Sequence, residues 1–366
     1  MMSAALDTFD RLWGGLSGAV IGDAFGTVAE TRSRADVVQN LGWIAEFRAP
    51  EGSSFAAGRP AGAYTDDSSQ MLLLMESLIS RGAAFDTTDA ARVLLRWSAD
   101  DELAARFSGP STRAAITRLA AGEAPELVGR GSAHNATGTT NGAAMKSAPA
   151  GWAHPGDIEA ACELAWVIAA PSHNTSQGVA GAAAIAAAVS AAADGASIDD
   201  TIEAAVRGAA IGAHLGRTRG RDAAGPDIAR RIRWACDLAR RAESVEAGVD
   251  DIAGLVGTGM SAAESVPAAL AFVALGEGDL TATIIAATNA GDDSDTVTCM
   301  AGAISGTMLG RAGVPDAWYE LVCDVNSVDL ADIARRFDTA ERSRSEMPHP
   351  SKNSRKGDYL AHEEQY

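Results

Sequence analysis

Almost nowhere does this chain alternate apolar and polar residues, and alanine recurs through it from end to end. A half-buried strand needs the period-two pattern, so its scarcity leaves helices as the way to bury 47% hydrophobic residues. The periodicity predicts helices at about 8–27, 67–80, 87–98, 111–121, 156–169, 175–193, 199–214, 226–241, 263–275, 280–288 and 296–310. Short loops rich in Gly, Asp, Asn and Pro separate them. No Pro/Gly/Ser linker divides the body, and no fixed-period repeat is visible. The expected fold is one compact all-α domain over residues 1–340, followed by a polar, disordered tail at 341–366.

Glycine spacing sharpens that expectation. Gly14, Gly18, Gly22 and Gly26 fall four apart, so on a helix they share one face. Glycine inside a helix costs roughly 1 kcal/mol per residue relative to alanine. A run of four therefore calls for a return. The simplest is close packing against another helix, and a second is delivery of the far end of this helix to a site at the centre of the domain.

Composition narrows the class of partner. The formal net charge of the 366 residues is −18, which argues against nucleic-acid binding because a phosphate backbone needs a basic surface. A small phosphorylated ligand held by backbone amides is compatible with it. Cys162, Cys236, Cys299 and Cys323 form no CxxC pair and read as small apolar core residues of a reducing compartment. The N-terminus, with early acids and no basic start before an apolar run, is a poor secretory signal. The longest greasy stretch, 178–193, is mostly alanine and falls short of a membrane span. The expectation is a soluble cytoplasmic protein that engages no membrane.

Two acidic clusters stand at the heads of apolar helices. The first is Tyr64-Thr65-Asp66-Asp67-Ser68-Ser69-Gln70, and the second runs from Asn289 through Asp292, Asp293 and Asp295 to Thr296. Either one alone can be read as a helix cap, and Asp67 with Gln70 resembles a capping box. Together they exceed what capping needs, since one cap takes one acceptor. No Lys or Arg lies between Arg59 and Arg81 or between Arg241 and Arg311, so neighbouring cations in sequence cannot neutralise them. The helix after the second cluster is small and apolar, which places its start in the interior, where gathered carboxylates repel or take up protons. A hard divalent cation, Mg²⁺ or else Mn²⁺ or Ca²⁺, would resolve the conflict if the clusters meet in space.

With these residues in order, the chain resembles the ADP-ribosylglycohydrolase family, which includes the glycohydrolase that reactivates ADP-ribosylated dinitrogenase reductase. The matching stretches are Gly18 to Gly26 with Glu30 following, Thr65 to Ser68, Asn141 to Lys146 with Pro149, Ser172-His173, Glu264 to Leu270 with Pro267, and Asn289 to Thr296. The resemblance implies a single all-α domain with a two-ion Mg²⁺ centre, Mn²⁺ being the alternative, at the bottom of a ribose-binding cleft. It implies Thr65, Asp66 and Asp67 as ligands of one ion, Asp295 as the bridge, and Asp293 and Thr296 completing the second. It also implies that an aspartate or Glu30 orients the water or the ribose, with the general base left open between them. Gly138, Thr139, Thr140, Asn141 and Gly142 would present backbone amides to a diphosphate, and His173 would lie near the substrate. His134-Asn135 flanks that loop.

Three departures from the family pattern matter: Asp292 stands where glycine is usual, Lys146 replaces arginine, and the glycine loop is rich in threonine. The expected reaction is hydrolysis of the ribosyl bond of an ADP-ribosylated protein side chain, arginine first. The alternative is an N-ribosyl hydrolase acting on a free nucleoside or small ribosyl metabolite, which would need no diphosphate contact. A non-catalytic ADP-ribose binder is a third reading, opposed by the complete set of acids and threonines.

Overall fold

All eleven predicted helices are present, most of them within a few residues of the expected ends, in a computed structural model that describes residues 6–134 and 137–345. In chain order they are α1 (Thr8–Gly26), α2 (Asp66–Arg81), α3 (Thr87–Trp97), α4 (Pro110–Ala120), α5 (Ile158–His173), α6 (Ser176–Ala193), α7 (Ile198–Arg219), α8 (Ile228–Arg240), α9 (Ala262–Leu275), α10 (Leu280–Ala290) and α11 (Ser294–Leu309). Two further helices close the fold, α12 (Asp316–Asn326) and α13 (Leu330–Ser345). The described residues contain no sheet, only three isolated bridges. The last helix extends past residue 340 to Ser345, and the rest of the expected tail, 346–366, lies outside the described residues, as does Asn135.

Helix α6 is the centre. At 18 residues it is long and apolar enough to cross a membrane, yet 94% of it is buried inside the fold. A helix that is apolar on every side belongs in the middle of a bundle. Here α5, α7, α11, the start of α9 and the segments 141–146 and 148–153 pack around it.

The glycine face of α1 packs directly on α11. A Cβ at Gly22 would lie 2.3 Å from the Thr298 carbonyl oxygen, and one at Gly26 would lie 2.5 Å from the Asp295 Cα. No side chain fits there, so the two backbones touch. The packing explanation of the spacing therefore holds, and the seam also sets the end of α1 against the start of α11. The Ser294 hydroxyl locks that junction by donating to the Gly26 carbonyl at 2.8 Å.

The N-termini of α2 and α11 thus meet the C-terminal half of α1. Asn289, at the end of α10, brings in a fourth segment: its amide donates to the Ile44 carbonyl at 2.8 Å and accepts from the Ile44 amide at 2.9 Å. Asn289 is a structural member of its motif, anchoring the loop after α1.

Candidate active site

The two acidic clusters come together around a third acid, Asp23, on α1. Its carboxylate accepts from the Thr65 amide (3.0 Å), the Thr65 hydroxyl (2.7 Å) and the Ser68 amide (2.9 Å). Asp23 therefore caps α2 from another helix. Neither Thr65 nor Asp293, the cap residues of α2 and α11, makes a side-chain capping bond. The capping-box reading of Asp67 with Gln70 does not hold: Gln70 donates to Asp66 at 3.1 Å instead. With the cap supplied in trans, Asp67 is released from that duty.

One Asp67 oxygen accepts from the hydroxyls of Thr65 at 3.2 Å and Thr296 at 3.5 Å. Its other oxygen, Oδ1, is buried and has no hydrogen-bond partner among the described residues. An orphaned carboxylate oxygen in the interior is costly. One carboxylate oxygen from each of Asp23, Asp67 and Asp295 lies within 4.8 Å of the others. Thr296 also reaches Asp293 Oδ1 at 3.3 Å, so Thr65, Asp67, Asp293 and Thr296 form one connected set, the Asp67–Thr296 contact alone bridging 229 residues of sequence. Asp293 is steadied on its far side by the Asn141 amide at 2.5 Å.

Charge balance is one-sided. Lys146 is the nearby buried cation, and its ammonium donates to Gln70 Oε1 at 2.6 Å, so it reaches Asp66 only through that amide. Burial first, then mutual repulsion, holds Asp66, Asp67 and Asp295 well above the usual carboxylate range. Burial lifts Asp293 to about 6, against the pull of the Asn141 hydrogen bond. Burial likewise pushes Lys146 down to about 8, with Asp66 and Asp67 opposing the fall.

Glu30 sits on the segment leaving α1. Its backbone pairs with Asp292, the Thr31 amide donating to the Asp292 carbonyl at 2.7 Å. The Glu30 side chain is buried and accepts from the Ser54 hydroxyl at 2.8 Å. Burial and, to a smaller degree, Asp293 raise it to about 7 despite that bond.

The glycine loop borders the same space. The Asn141 amide nitrogen donates to the Met260 carbonyl at 2.9 Å, and the Gly138 amide donates to the Ser111 hydroxyl at 2.9 Å, so these two N–H groups are used inside the protein. Thr139, Thr140 and Gly142 are partly exposed along it. His173 is fully buried behind the loop, with its ring nitrogens against Thr140 Oγ1 and Ser172 Oγ, both at 2.8 Å. Burial drives its pKa to about 3, so the ring is neutral. Its place is beneath the loop. His134 is exposed, its backbone amide donating to the Ser132 hydroxyl at 3.2 Å.

The ADP-ribosylglycohydrolase family profile matches residues 4–346. The chain belongs to the ADP-ribosylglycohydrolase family. It is similar to an uncharacterized protein, YegU, of Escherichia coli K12, with 30% identity covering 88% of this chain and 94% of that protein. It is similar to the ADP-ribosylhydrolase ARH3 of Homo sapiens, 27% identical over 86% of this chain and 90% of that one. Among solved structures, one described as an ADP-ribosylglycohydrolase-related protein complex covers 92% of this chain and 99% of its own, at 24% identity and a TM-score of 0.66, which shows the shared fold.

This member of the family is therefore a hydrolase of ADP-ribosylated substrates. The family is metal-dependent, and the donor set fits a hard cation: oxygen atoms only, one of them orphaned and buried, with surplus negative charge. Asp23 is the residue that motif reading left without a role. Its signal was the one charged residue between Leu12 and Gly26 of α1, one position after a glycine of the packing face.

Proposed function

We propose that this hydrolase cleaves the bond between ribose C1 and an amino-acid side chain in ADP-ribosylated proteins, with arginine as the acceptor and Mg²⁺ as the metal. Thr65, Asp66, Asp67, Asp293, Asp295 and Thr296 would hold a two-ion centre, with Mn²⁺ as the substitute ion. The observation behind this reading is the unpartnered Asp67 Oδ1 among carboxylates that form no ion pair among the described residues. When bound, the metal would supply charge neutralisation and polarise the oxygens of water and ribose.

The chain's own groups supply the rest. The bond to C1 breaks with oxocarbenium character at the ribose, which the buried carboxylates stabilise because they are fixed before reaction. Water adds to C1, its proton is taken up, and the departing guanidine nitrogen receives one. We assign both transfers to Glu30, a buried carboxyl on the segment leaving α1 that accepts from the Ser54 hydroxyl. Asp23 acts through others, holding Thr65 and the first turn of α2 in register. We assign the diphosphate to the edge of the loop from Thr140 to Gly142. His173 fixes that edge from behind through Thr140.

The deciding experiment measures product release from ADP-ribosyl arginine, ADP-ribosyl serine and a nucleoside panel, with Mg²⁺ and with chelator. Cleavage of the arginine conjugate that stops on chelation supports the reading. Cleavage of nucleosides alone would replace it with the N-ribosyl hydrolase. We also assign the protein to the cytoplasm, on the strength of its four free, widely spaced cysteines.

A further inference from the structure

A cavity of about 850 Å³ opens beside the carboxylate cluster, and its inner wall is formed by Thr31, Thr258 and Asp292. Those residues connect it to the reaction centre. Thr31 follows Glu30 and pairs with Asp292 through the backbone, while the Thr258 carbonyl accepts from the Asp293 amide at 3.1 Å. Ala35, Val38 and Ala253 provide an apolar side, with Val38 left 55% exposed.

Charge within the cavity is unequal. Its two arginines are already engaged: Arg34 with Asp250 at 2.8 Å and the Asn289 carbonyl at 3.0 Å, Arg32 with Asp36 at 2.7 Å and the Glu51 carbonyl at 3.1 Å. Asp292 is exposed and has no ion-pair partner among the described residues. Glu264 approaches it across Gly259. A Cβ at position 259 would lie 2.9 Å from Glu264 Oε2 and 3.1 Å from Asp292 Oδ2, so the two carboxylates face a common gap that glycine leaves open. Asp292 also holds a backbone φ of 60°, a conformation in which a side chain is unfavourable. At that position the carboxylate occupies a site that glycine would fill at lower conformational cost.

We propose that this cavity is the acceptor subsite and that Asp292 is its specificity-determining residue, receiving the guanidinium of an ADP-ribosylated arginine while the apolar wall covers its methylene stem. The inference rests on the proposed reaction and adds to it the recognition of a cationic acceptor. A guanidinium presents several N–H donors in a plane, which matches a carboxylate with free oxygens. A serine-linked conjugate has no such group and would gain nothing from Asp292.

The test compares wild type with Asp292→Asn and Asp292→Gly. Both replacement residues tolerate positive φ, so folding is retained, and circular dichroism checks it. kcat/KM is measured on matched peptides modified at arginine and at serine, and calorimetry follows agmatine binding in the presence of ADP-ribose. Loss of a charge-assisted contact lowers kcat/KM on the arginine peptide roughly tenfold to a hundredfold, leaves the serine peptide within about twofold, and weakens agmatine binding in parallel. If wild type cleaves both peptides and the variants slow them equally or not at all, the subsite is refuted while the hydrolase reading stands. If wild type cleaves only the serine peptide, the arginine acceptor and this subsite are both overturned.

Discussion

Replacing Asp67 with asparagine should stabilise the metal-free protein, the reverse of what removal of a hydrogen-bonded core residue does. The Asp67 carboxyl is buried, one oxygen is unpartnered, and burial with its acidic neighbours holds it well above the usual range. A carboxyl whose folded pKa exceeds its unfolded value, near 3.9, stabilises least at high pH. Its full contribution is present below the unfolded pKa and is lost as pH rises toward the folded one. Each pH unit across that window costs about 1.4 kcal/mol, or roughly 2 °C in Tm for a chain of this size, so the difference between the two proteins grows with pH. Calorimetry in chelator from pH 5 to pH 8 should show Asp67→Asn melting above wild type, with the gap widening as pH rises. Added Mg²⁺ should raise wild type and leave the variant nearly unmoved, because a ligand stabilises only the fold that binds it. Equal melting of both proteins in chelator at every pH, or a variant that gains as much from Mg²⁺ as wild type, would refute the account of Asp67 as an uncompensated charge.

Gly22→Ala should destabilise the fold by about 3 kcal/mol or more, read as a fall in the denaturation midpoint, since its Cβ would meet the Thr298 carbonyl at 2.3 Å with backbone on both sides. Ser54→Ala removes the hydrogen bond that lowers Glu30, so the acidic limb of the kcat/KM profile should move to higher pH, and Glu30→Gln should abolish that limb. His173→Ala should raise KM more than it lowers kcat, by loosening Thr140 and the loop. The neutral ring predicts no inflection attributable to His173 between pH 5 and pH 9 in wild type.

Long, strongly periodic helices were readable because their apolar stripes are local. The short segments Asp101–Phe107, Pro125–Val128, Ala148–Ala153 and Val245–Asp251 were not, having too few turns to show a period. Helix α13 was hidden by charge: LADIARRFDTAERSRS is polar overall, yet Leu330, Ile333, Ala334 and Phe337 are buried at helical spacing. The two acidic clusters were legible as a site because their surplus charge has no local compensation. What paired them was not, because the trans cap from Asp23 spans 42 residues and the Thr296–Asp67 contact spans 229. The same limit applies to His173, whose motif neighbours mark the cleft while its own burial places it under the loop.

The geometry of the carboxylates is a consequence of the α1–α11 seam. Because Gly22 and Gly26 allow the backbones to touch, Asp23 stands beside Asp295 without either side chain being drawn out of its helix. Asp23 then spends its oxygens on the first turn of α2, which aims Asp67 inward with one oxygen unused. A conventional cap at Thr65 would have turned that hydroxyl toward its own helix and away from Asp23 and Asp67. The surplus charge left by this arrangement is destabilising in the absence of a cation, and it persists only because the seam, the trans cap and the Ser294 lock hold it from three sides. A metal-binding centre built on packed backbone in this way should be rigid before the ion arrives, so that Mg²⁺ raises the melting midpoint while leaving far-UV circular dichroism unchanged. A gain of helical signal on metal addition would mean that the seam does not preorganise the site.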